Sequence, residues 1–367
     1  MGAARRLDAF ARQEAAPMKI AVFLPTWIGD AAMATPALRA IRKKFGGDSR
    51  IVGVGLPYLQ ELFAGTNYFD DYVASSPKSK QRREQSLGVA WKLRPEQFDA
   101  AILMRNSFRE AAVAWLAGAK RRIGYVRYLR GPLLTDKLYA PRENGKPVPY
   151  RMTDYYLQLA YALGCAEETQ HIELATTPAD ESAADQAWED LGLRHGEAVV
   201  TFNASGAFGA TKLWPTEHFA ALARKIASEL GLDVLVICGP SERERAAQIA
   251  SQASHPRVFS LGGRPLSLGL SKACIKRSRL LVTTDSGPRQ FAVAFDVPLV
   301  SIFGPTFKIW GENPTANEIM LQKDLPCISC QRQVCPLKHH ACMRDLSVNQ
   351  VYRAALTQLQ RRRKAAA

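Results

Sequence analysis

Short apolar runs alternate along this chain with longer segments in which apolar positions recur every three or four residues. The first unit is Lys19 to Leu24, followed by Pro-Thr-Trp-Ile-Gly-Asp at 25–30 and an apolar-periodic segment from Ala31 to Phe45. This pattern predicts strand, tight loop and helix. It recurs with a strand near 51–55, a helix near 57–64, a strand near 99–104 and a helix near 108–118. Residues 127–153 are rich in Pro, Gly and Arg, fit no period, and read as long surface loops. Thr153 to Leu163 is again helical. A second series begins at Ala198, with strands expected at 198–203, 232–237, 257–260, 279–283 and 298–303. Helices fall between them at 216–230, 242–253, 267–276 and 288–295, and a last helix at 347–360.

The strand-like runs are rich in Val, Ile and Leu, as expected where both faces are buried. The expected fold class is therefore α/β, with two doubly wound, Rossmann-like domains facing across a cleft. The boundaries read as a polar extension at 1–17, expected to be disordered, and a first domain at 18–175. A linker region at 176–196 holds a helix from Asp180 to Leu191. The second domain covers 197–346, with a helix and basic tail at 347–367. A chain of 367 residues fits two domains, because single cores stop growing at roughly 250–300 residues. Ligands of such folds sit beyond the carboxyl ends of the strands, so the loops there carry the candidate chemistry.

No apolar run approaches the ~18 residues of a membrane span, and the N-terminus lacks a signal-peptide pattern. A soluble cytosolic protein is expected. The formal net charge of +15 points to a polyanionic partner: nucleic acid, an anionic membrane surface or a phosphorylated substrate. Eleven Lys/Arg against three Asp/Glu lie between Arg105 and Arg151, and a second basic cluster runs from Lys78 to Arg94. A third, at 361–364, is equally well a solvated helix end.

Four loops stand out. In the first, Asp30 follows Gly29 at a helix start, which suits an N-cap or a general base at a cleft mouth. In the second, Ala204 to Pro215, small residues including Ser205 together with Thr211 and Lys212 suit a diphosphate cradle. The P-loop spacing is absent. In the third, Asp285, Ser286 and Gly287 precede Pro288 and a helix, where free N–H groups favour an anion. In the fourth, at 238–244, Glu242 is either a ribose contact or a favourable first-turn acid. Apart from these, Cys327, Cys330, Cys335 and Cys342 form Cys-x2-Cys-x4-Cys-x6-Cys, with His339 and His340 among them. They suit a structural metal or a loop of reduced thiols. No metal is expected at the reaction centre.

Taken in order, these loops resemble glycosyltransferase family 9, the ADP-heptose:lipopolysaccharide heptosyltransferases, from about Met18 to about Leu346. The marks are Trp-Ile-Gly-Asp with Ala-Thr-Pro-Ala-Leu at 34–38, Arg-Asn-Ser-Phe-Arg at 105–109, and Leu-Leu-Thr-Asp at 133–136. Lys-Leu-Trp-Pro at 212–215, Thr-Asp-Ser-Gly-Pro at 284–288 and Phe-Gly-Pro-Thr at 303–306 follow. The Asn-Ser-Phe-Arg segment and the cysteine cluster look most like the heptosyltransferase II branch. The resemblance implies a GT-B fold and inverting, metal-independent transfer of heptose from ADP-heptose, a co-substrate, to the lipopolysaccharide inner core. By the same resemblance Asp30 is the base, and Lys212, Thr211, Ser205, Glu242, Asp285, Ser286 and Gly287 line the donor site. Arg105, Asn106, Ser107 and Arg109 are expected on the acceptor side, where arginines suit phosphates and carboxylates. A lipid-borne acceptor implies peripheral contact with the anionic inner face of the inner membrane. Two departures stand out. Arg289 and Gln290 occupy positions where the family often has Met-His, and the donor loop opens Ala204-Ser205-Gly206 rather than Pro-Gly-Ala. A nucleotide-sugar epimerase on the same scaffold is the rival enzyme. A nucleic-acid binder is the rival suggested by charge, but no recognition motif supports one.

Overall fold

A computed structural model describes residues 17–196 and 198–366. The expected extension thus lies, but for Pro17, outside the described residues. The first half contains β1 (Lys19–Phe23), α1 (Ile28–Met33), α2 (Thr35–Phe45), β2 (Arg50–Gly55), α3 (Leu59–Phe63) and β3 (Asp71–Ala74). It continues through α4 (Ser86–Leu93), β4 (Ala100–Leu103), α5 (Phe108–Leu116), β5 (Arg121–Tyr125) and β6 (Asp136–Leu138). A small antiparallel pair, β7 (Arg142–Glu143) and β8 (Lys146–Pro147), precedes α6 (Met152–Ala162). The connecting helix is α7 (Pro178–Leu191). The second half runs β9 (Val199–Asn203), α8 (Thr216–Leu230), β10 (Asp233–Ile237), α9 (Arg243–Ala253), β11 (Val258–Ser260) and α10 (Leu268–Lys276). It then adds β12 (Leu280–Thr284), α11 (Arg289–Ala294), β13 (Leu299–Phe303), α12 (Lys308–Gly311), β14 (Glu318–Gln322), α13 (Ala341–Arg344) and α14 (Val348–Ala366).

Each half is a six-stranded parallel sheet with the same order. The first reads β3-β2-β1-β4-β5-β6 and the second β11-β10-β9-β12-β13-β14. The strand order reverses between β1 and β4, and between β9 and β12. Those are the switch points where a parallel sheet opens a crevice for ligand. The loops after β1 and β9, which carry Asp30 and Lys212, sit there.

The central strands form because their residues are buried on both faces: every residue of β4, β9, β10, β12 and β13 is buried. Helix ends follow local chemistry. The Thr177 hydroxyl accepts from the Asp180 N–H while the Asp180 carboxylate accepts from the Thr177 N–H, a capping box that opens α7. Gly192, at φ 66°, closes it in the left-handed region.

Residues 127–153, expected as loop, contain β6 and the β7–β8 pair. β5, just before that stretch, and β6 within it are parallel neighbours in the first sheet, and neither was expected from the sequence. Arg121, the first residue of β5, pairs with Asp136, the first residue of β6, at 2.7 Å. The charged start that hid both strands is the contact that ties them together.

The two halves share one continuous apolar cluster, including Leu38, Ile41, Leu59, Phe63, Leu270, Ile275 and Phe291. Lys272 of α10 crosses this seam. It is fully buried, and its ammonium donates to the carbonyls of Ala175 (2.7 Å), Glu61 (3.0 Å) and Leu62 (3.3 Å). Asp180 lies 3.7 Å away. The end of α3 offers orphan carbonyls, and a cation satisfies them best. Burial pushes the Lys272 ammonium below its ordinary value, an effect that Asp180 opposes. The linker helix α7 binds the second half through Glu181, which accepts from Lys276 (2.8 Å) and Arg277 (2.6 Å).

Replacing the Lys272 ammonium removes several charge-assisted hydrogen bonds at once. Lys272→Met is expected to lower folding stability by about 3 kcal/mol, read as the urea unfolding midpoint. An unchanged midpoint would show that the seam does not depend on this side chain.

Candidate functional site

The site forms where the two switch points meet. Helix α1 starts after Trp27, whose side chain makes no cap bond, and Asp30 is its third residue. Asp30 is therefore not the N-cap that its place in the sequence also allowed. Its carboxylate makes no hydrogen bond among the described residues.

Opposite it, the turn between β12 and α11 brings Gly287 against Gly29. A Cβ built on Gly29 would lie 3.4 Å from the Gly287 Cα. One built on Gly287 would lie 3.0 Å from Ile28 Cβ and 3.3 Å from the Gly29 nitrogen. Bare backbone on both sides lets the two loops touch. The contact delivers Asp30 to the ion pair of the second half. There the Lys212 ammonium donates to the Asp285 carboxylate at 2.6 Å and to its carbonyl at 3.3 Å. The Thr306 hydroxyl donates to the same carboxylate oxygen at 2.6 Å. Lys212 also lies 5.0 Å from the Phe208 ring centroid.

These surroundings drive the two carboxylates apart. Burial pushes Asp30 up from 3.8 to about 6; the Lys212 charge opposes this and the Asp285 charge adds to it. Burial also raises Asp285, but the charge and hydrogen bond of Lys212, with the Thr306 hydroxyl, outweigh it and hold that group below its ordinary value. One carboxylate is thus a poised base and the other a fixed anion.

The other expected donor residues support the loops. The Ser205 hydroxyl and the Gly206 N–H donate to one oxygen of Glu242, at 2.7 and 3.0 Å, and the Gly239 N–H donates to the other at 3.1 Å. Glu242 thus braces the loops after β9 and β10. The Ser286 hydroxyl is held by Asn203, whose amide donates to it at 2.7 Å. Thr211, expected at the donor site, is buried, and its hydroxyl donates to the Arg332 carbonyl at 2.6 Å, in the cysteine-bearing segment. Its side chain ties the loop after β9 to that segment. Arg289 is fully buried too. It pairs with Glu318 of β14 and donates to the Gly311 carbonyl at 2.9 Å. Sequence reasoning gave Thr306 no role, although it ends the Phe-Gly-Pro-Thr motif at 303–306, and missed Asn203 and Glu318, which lie within no loop or motif that it singled out.

On the first half, Arg105 donates to Glu110 at 2.8 Å. The Asn106 carboxamide is bound to Tyr155 (2.7 Å) and to Arg130 (2.8 Å). Ser107 caps α5, its hydroxyl accepting from the Arg109 N–H at 3.2 Å. Of the four expected acceptor residues, Arg109 alone has a side chain with no hydrogen-bond or ion-pair partner among the described residues, and it is exposed. Arg130 is buried, donating to the Tyr125 carbonyl at 2.8 Å. The Arg-rich stretch is therefore not the uniform anion surface that its composition suggested.

Cys327, Cys330, Cys335 and Cys342, read from the sequence as a structural metal site or a loop of reduced thiols, are all free thiols, and among the described residues no three Cys, His, Asp or Glu side chains converge as ligands would. Cys330 faces solvent, while the Cys327 sulfur lies 3.9 Å from His339 Nε2.

The sequence profile of glycosyltransferase family 9 (heptosyltransferase) matches residues 87–341. The chain belongs to glycosyltransferase family 9. This family 9 enzyme is 28% identical over 350 residues to lipooligosaccharide heptosyltransferase 2 of Campylobacter jejuni, covering 92% of this chain and 97% of that one. It is 25% identical over 302 residues to lipopolysaccharide heptosyltransferase 2 of Escherichia coli, covering 79% and 83%. Among solved structures, the Escherichia coli ADP-heptose lps heptosyltransferase II matches with a TM-score of 0.76 at 21% identity, covering 94% of this chain and all of that one. A glycosyl transferase family 9 protein from Veillonella parvula gives the same TM-score at 22% identity, covering 94% and 97%. The fold of the family 9 enzyme is thus GT-B, as its two Rossmann-like sheets require.

The raised pKa of Asp30 has a consequence for stability. Between pH 3.8 and about 6 the folded protein holds the Asp30 proton more tightly than the unfolded chain does. Stability from that proton is full below the lower value and is lost as pH rises through the upper one. Asp30→Asn stays neutral, so it should exceed the wild type by about 2–3 kcal/mol at pH 7.5 and converge with it near pH 4. Urea titrations at the two pH values check this; equal stability at pH 7.5 would mean a well-solvated carboxylate.

Proposed function

We propose that this enzyme moves heptose from ADP-heptose onto the inner core of lipopolysaccharide, with inversion and without a catalytic metal. The observation that carries the reading is the placement of Asp30, an unpaired carboxylate with a pKa near 6, against the Lys212–Asp285 pair across the interdomain contact. The acceptor hydroxyl approaches from the first half and gives its proton to Asp30. The donor diphosphate lies on the second half. There Lys212 shifts from Asp285 toward the phosphate oxygens and stabilises the charge that grows as the C–O bond to the leaving phosphate breaks. Attack opposite the leaving group inverts the anomeric centre. The two relatives named above are a lipooligosaccharide and a lipopolysaccharide heptosyltransferase, which supports the choice of sugar and acceptor.

Glu242, Ser205, Ser286 and Gly287 contribute by fixing the donor loops, and Arg105 and Arg109 by meeting acceptor oxyanions. Water is excluded when donor and acceptor fill the cleft, which limits hydrolysis of the donor.

Asp30→Asn should lower transfer by at least about 1000-fold while calorimetry gives an unchanged affinity for ADP. Lys212→Ala should weaken ADP binding by about tenfold or more. Full transfer by the first variant, or unaltered ADP affinity in the second, would remove the role given to that residue. Donor incubated without acceptor should come back unrearranged, whereas an epimerised sugar would point to the rival chemistry.

A further inference from the structure

Helices α4 and α5 lie side by side on the outer face of the first sheet. Val89, Ala90 and Leu93 of one, and Ala111, Val113 and Ala114 of the other, face inward and pack with the strands. A helix with its core on one face normally presents polar residues on the other. Here the outer positions are large and apolar. On α4, Leu87 is 65% exposed and Trp91, one turn on, 67%. On α5, Phe108 is 53% exposed and Trp115, two turns on, 54%.

Cations surround these side chains. Between Lys78 and Arg94 there are six Lys/Arg and one acid, Glu84. Among the described residues none of the six forms an ion pair; Arg94 instead lies 5.6 Å from the Trp91 ring centroid. Elsewhere the arginines are matched, as in Arg39–Glu168, Arg121–Asp136 and Arg277–Glu181. A cavity of about 500 Å³ opens where the two helices start, lined by Arg82, Arg83, Leu87 and the unpaired Arg109. In a parallel α/β sheet the helices start at the carboxyl ends of the strands, which is the cleft end. The patch therefore begins at the rim of the acceptor half and runs outward along both helices.

Exposed tryptophan interleaved with unpaired arginine and lysine matches the interface of an anionic bilayer. The indoles sit at headgroup depth and each cation near the surface adds roughly 1 kcal/mol. Among the described residues no helix is long and apolar enough to cross a membrane, so the contact is peripheral. We propose that the outer face of α4 and α5 docks this enzyme on an anionic phospholipid surface, with Trp91 and Trp115 inserted and the cations of 78–94 and Arg109 against the headgroups. The proposal deepens the acceptor reading above and rests on it for the reason a bilayer matters: a lipid-borne acceptor would then reach the cleft from the plane in which its own chains lie.

The test uses the full-length protein and unilamellar vesicles of phosphatidylcholine, with or without 30% phosphatidylglycerol, followed by cosedimentation. The wild type should partition onto the anionic vesicles at low salt, release as salt rises, and bind pure phosphatidylcholine at least tenfold less. The double variant Trp91→Ser/Trp115→Ser should lose at least tenfold in partition coefficient, with an unchanged melting temperature and unchanged transfer to a water-soluble, deacylated acceptor. Vesicle binding undiminished in the variant, or absent in the wild type, would overturn the proposal. So would a dimer that dissolves to monomer in the variant while vesicle affinity stays constant, since the patch would then join two copies of the chain. Because vesicle binding is measured without donor or acceptor, loss of the proposed transfer activity in the wild type would count against the functional reading and not against the docking surface.

Discussion

The chemistry of this enzyme depends on two glycines that touch. Gly29 and Gly287 belong to different halves, and their backbones approach as closely as a missing Cβ permits. That approach sets the distance between a carboxylate on α1 and the charged pair that follows β9 and β12. A Cβ at Gly287 would press on Ile28 Cβ at 3.0 Å, so the contact would have to give there. Where the two loops part, the Asp30 carboxylate regains water and its pKa falls back toward the ordinary range. The same contact thus bears on geometry and on the pKa of Asp30 together.

The seam that half-buries Asp30 is held by contacts well away from it. Lys272 ties α10 to the end of α3 and to the start of the linker, and the apolar cluster running through α2, α3, α10 and α11 is shared by both halves. Within the second half, the Lys212–Asp285–Thr306 group is balanced internally: the lysine has an anion to hold, and the half-buried Asp285 carboxylate has Thr306 as a second donor. An anion brought to Lys212 by the proposed transfer would compete with Asp285, which would keep Thr306. Glu242, Ser205 and Asn203 hold the loops in place around this pair.

The strands at the centre of each sheet were legible because burial on both faces writes itself as runs of Val, Ile and Leu, as in Val199–Asn203 and Leu280–Thr284. The edges were not. Strand β5 begins with two arginines and β14 is half-buried throughout, so neither shows a strand's composition. Candidate residues were legible by type and by loop, but their partners were not. Asp30 could be named from its place after Gly29. That it would be half-buried and facing Lys212 depends on the contact of Gly29 with Gly287, 258 residues further along the chain. Lys272, Arg130 and Arg289 are ordinary basic residues in the sequence. They become buried ties only through carbonyls and a carboxylate that folding brings to them.

Charge shows the same limit from another side. The longest basic stretch, from Arg105 to Arg151, looks like the surface most suited to anions. Folding turns much of it inward or pairs it: Arg105 with Glu110, Lys120 with Asp99, Arg121 with Asp136, and Arg122 and Arg130 with backbone carbonyls. A matched cation has little field left to offer a ligand, since its partner cancels it within a few ångströms. The shorter cluster from Lys78 to Arg94 keeps its full charge because one acid accompanies six bases. What attracts a polyanion is the charge that folding leaves unmatched, and on this protein that charge lies beside the cleft, among exposed indoles, rather than along the stretch that holds the most basic residues.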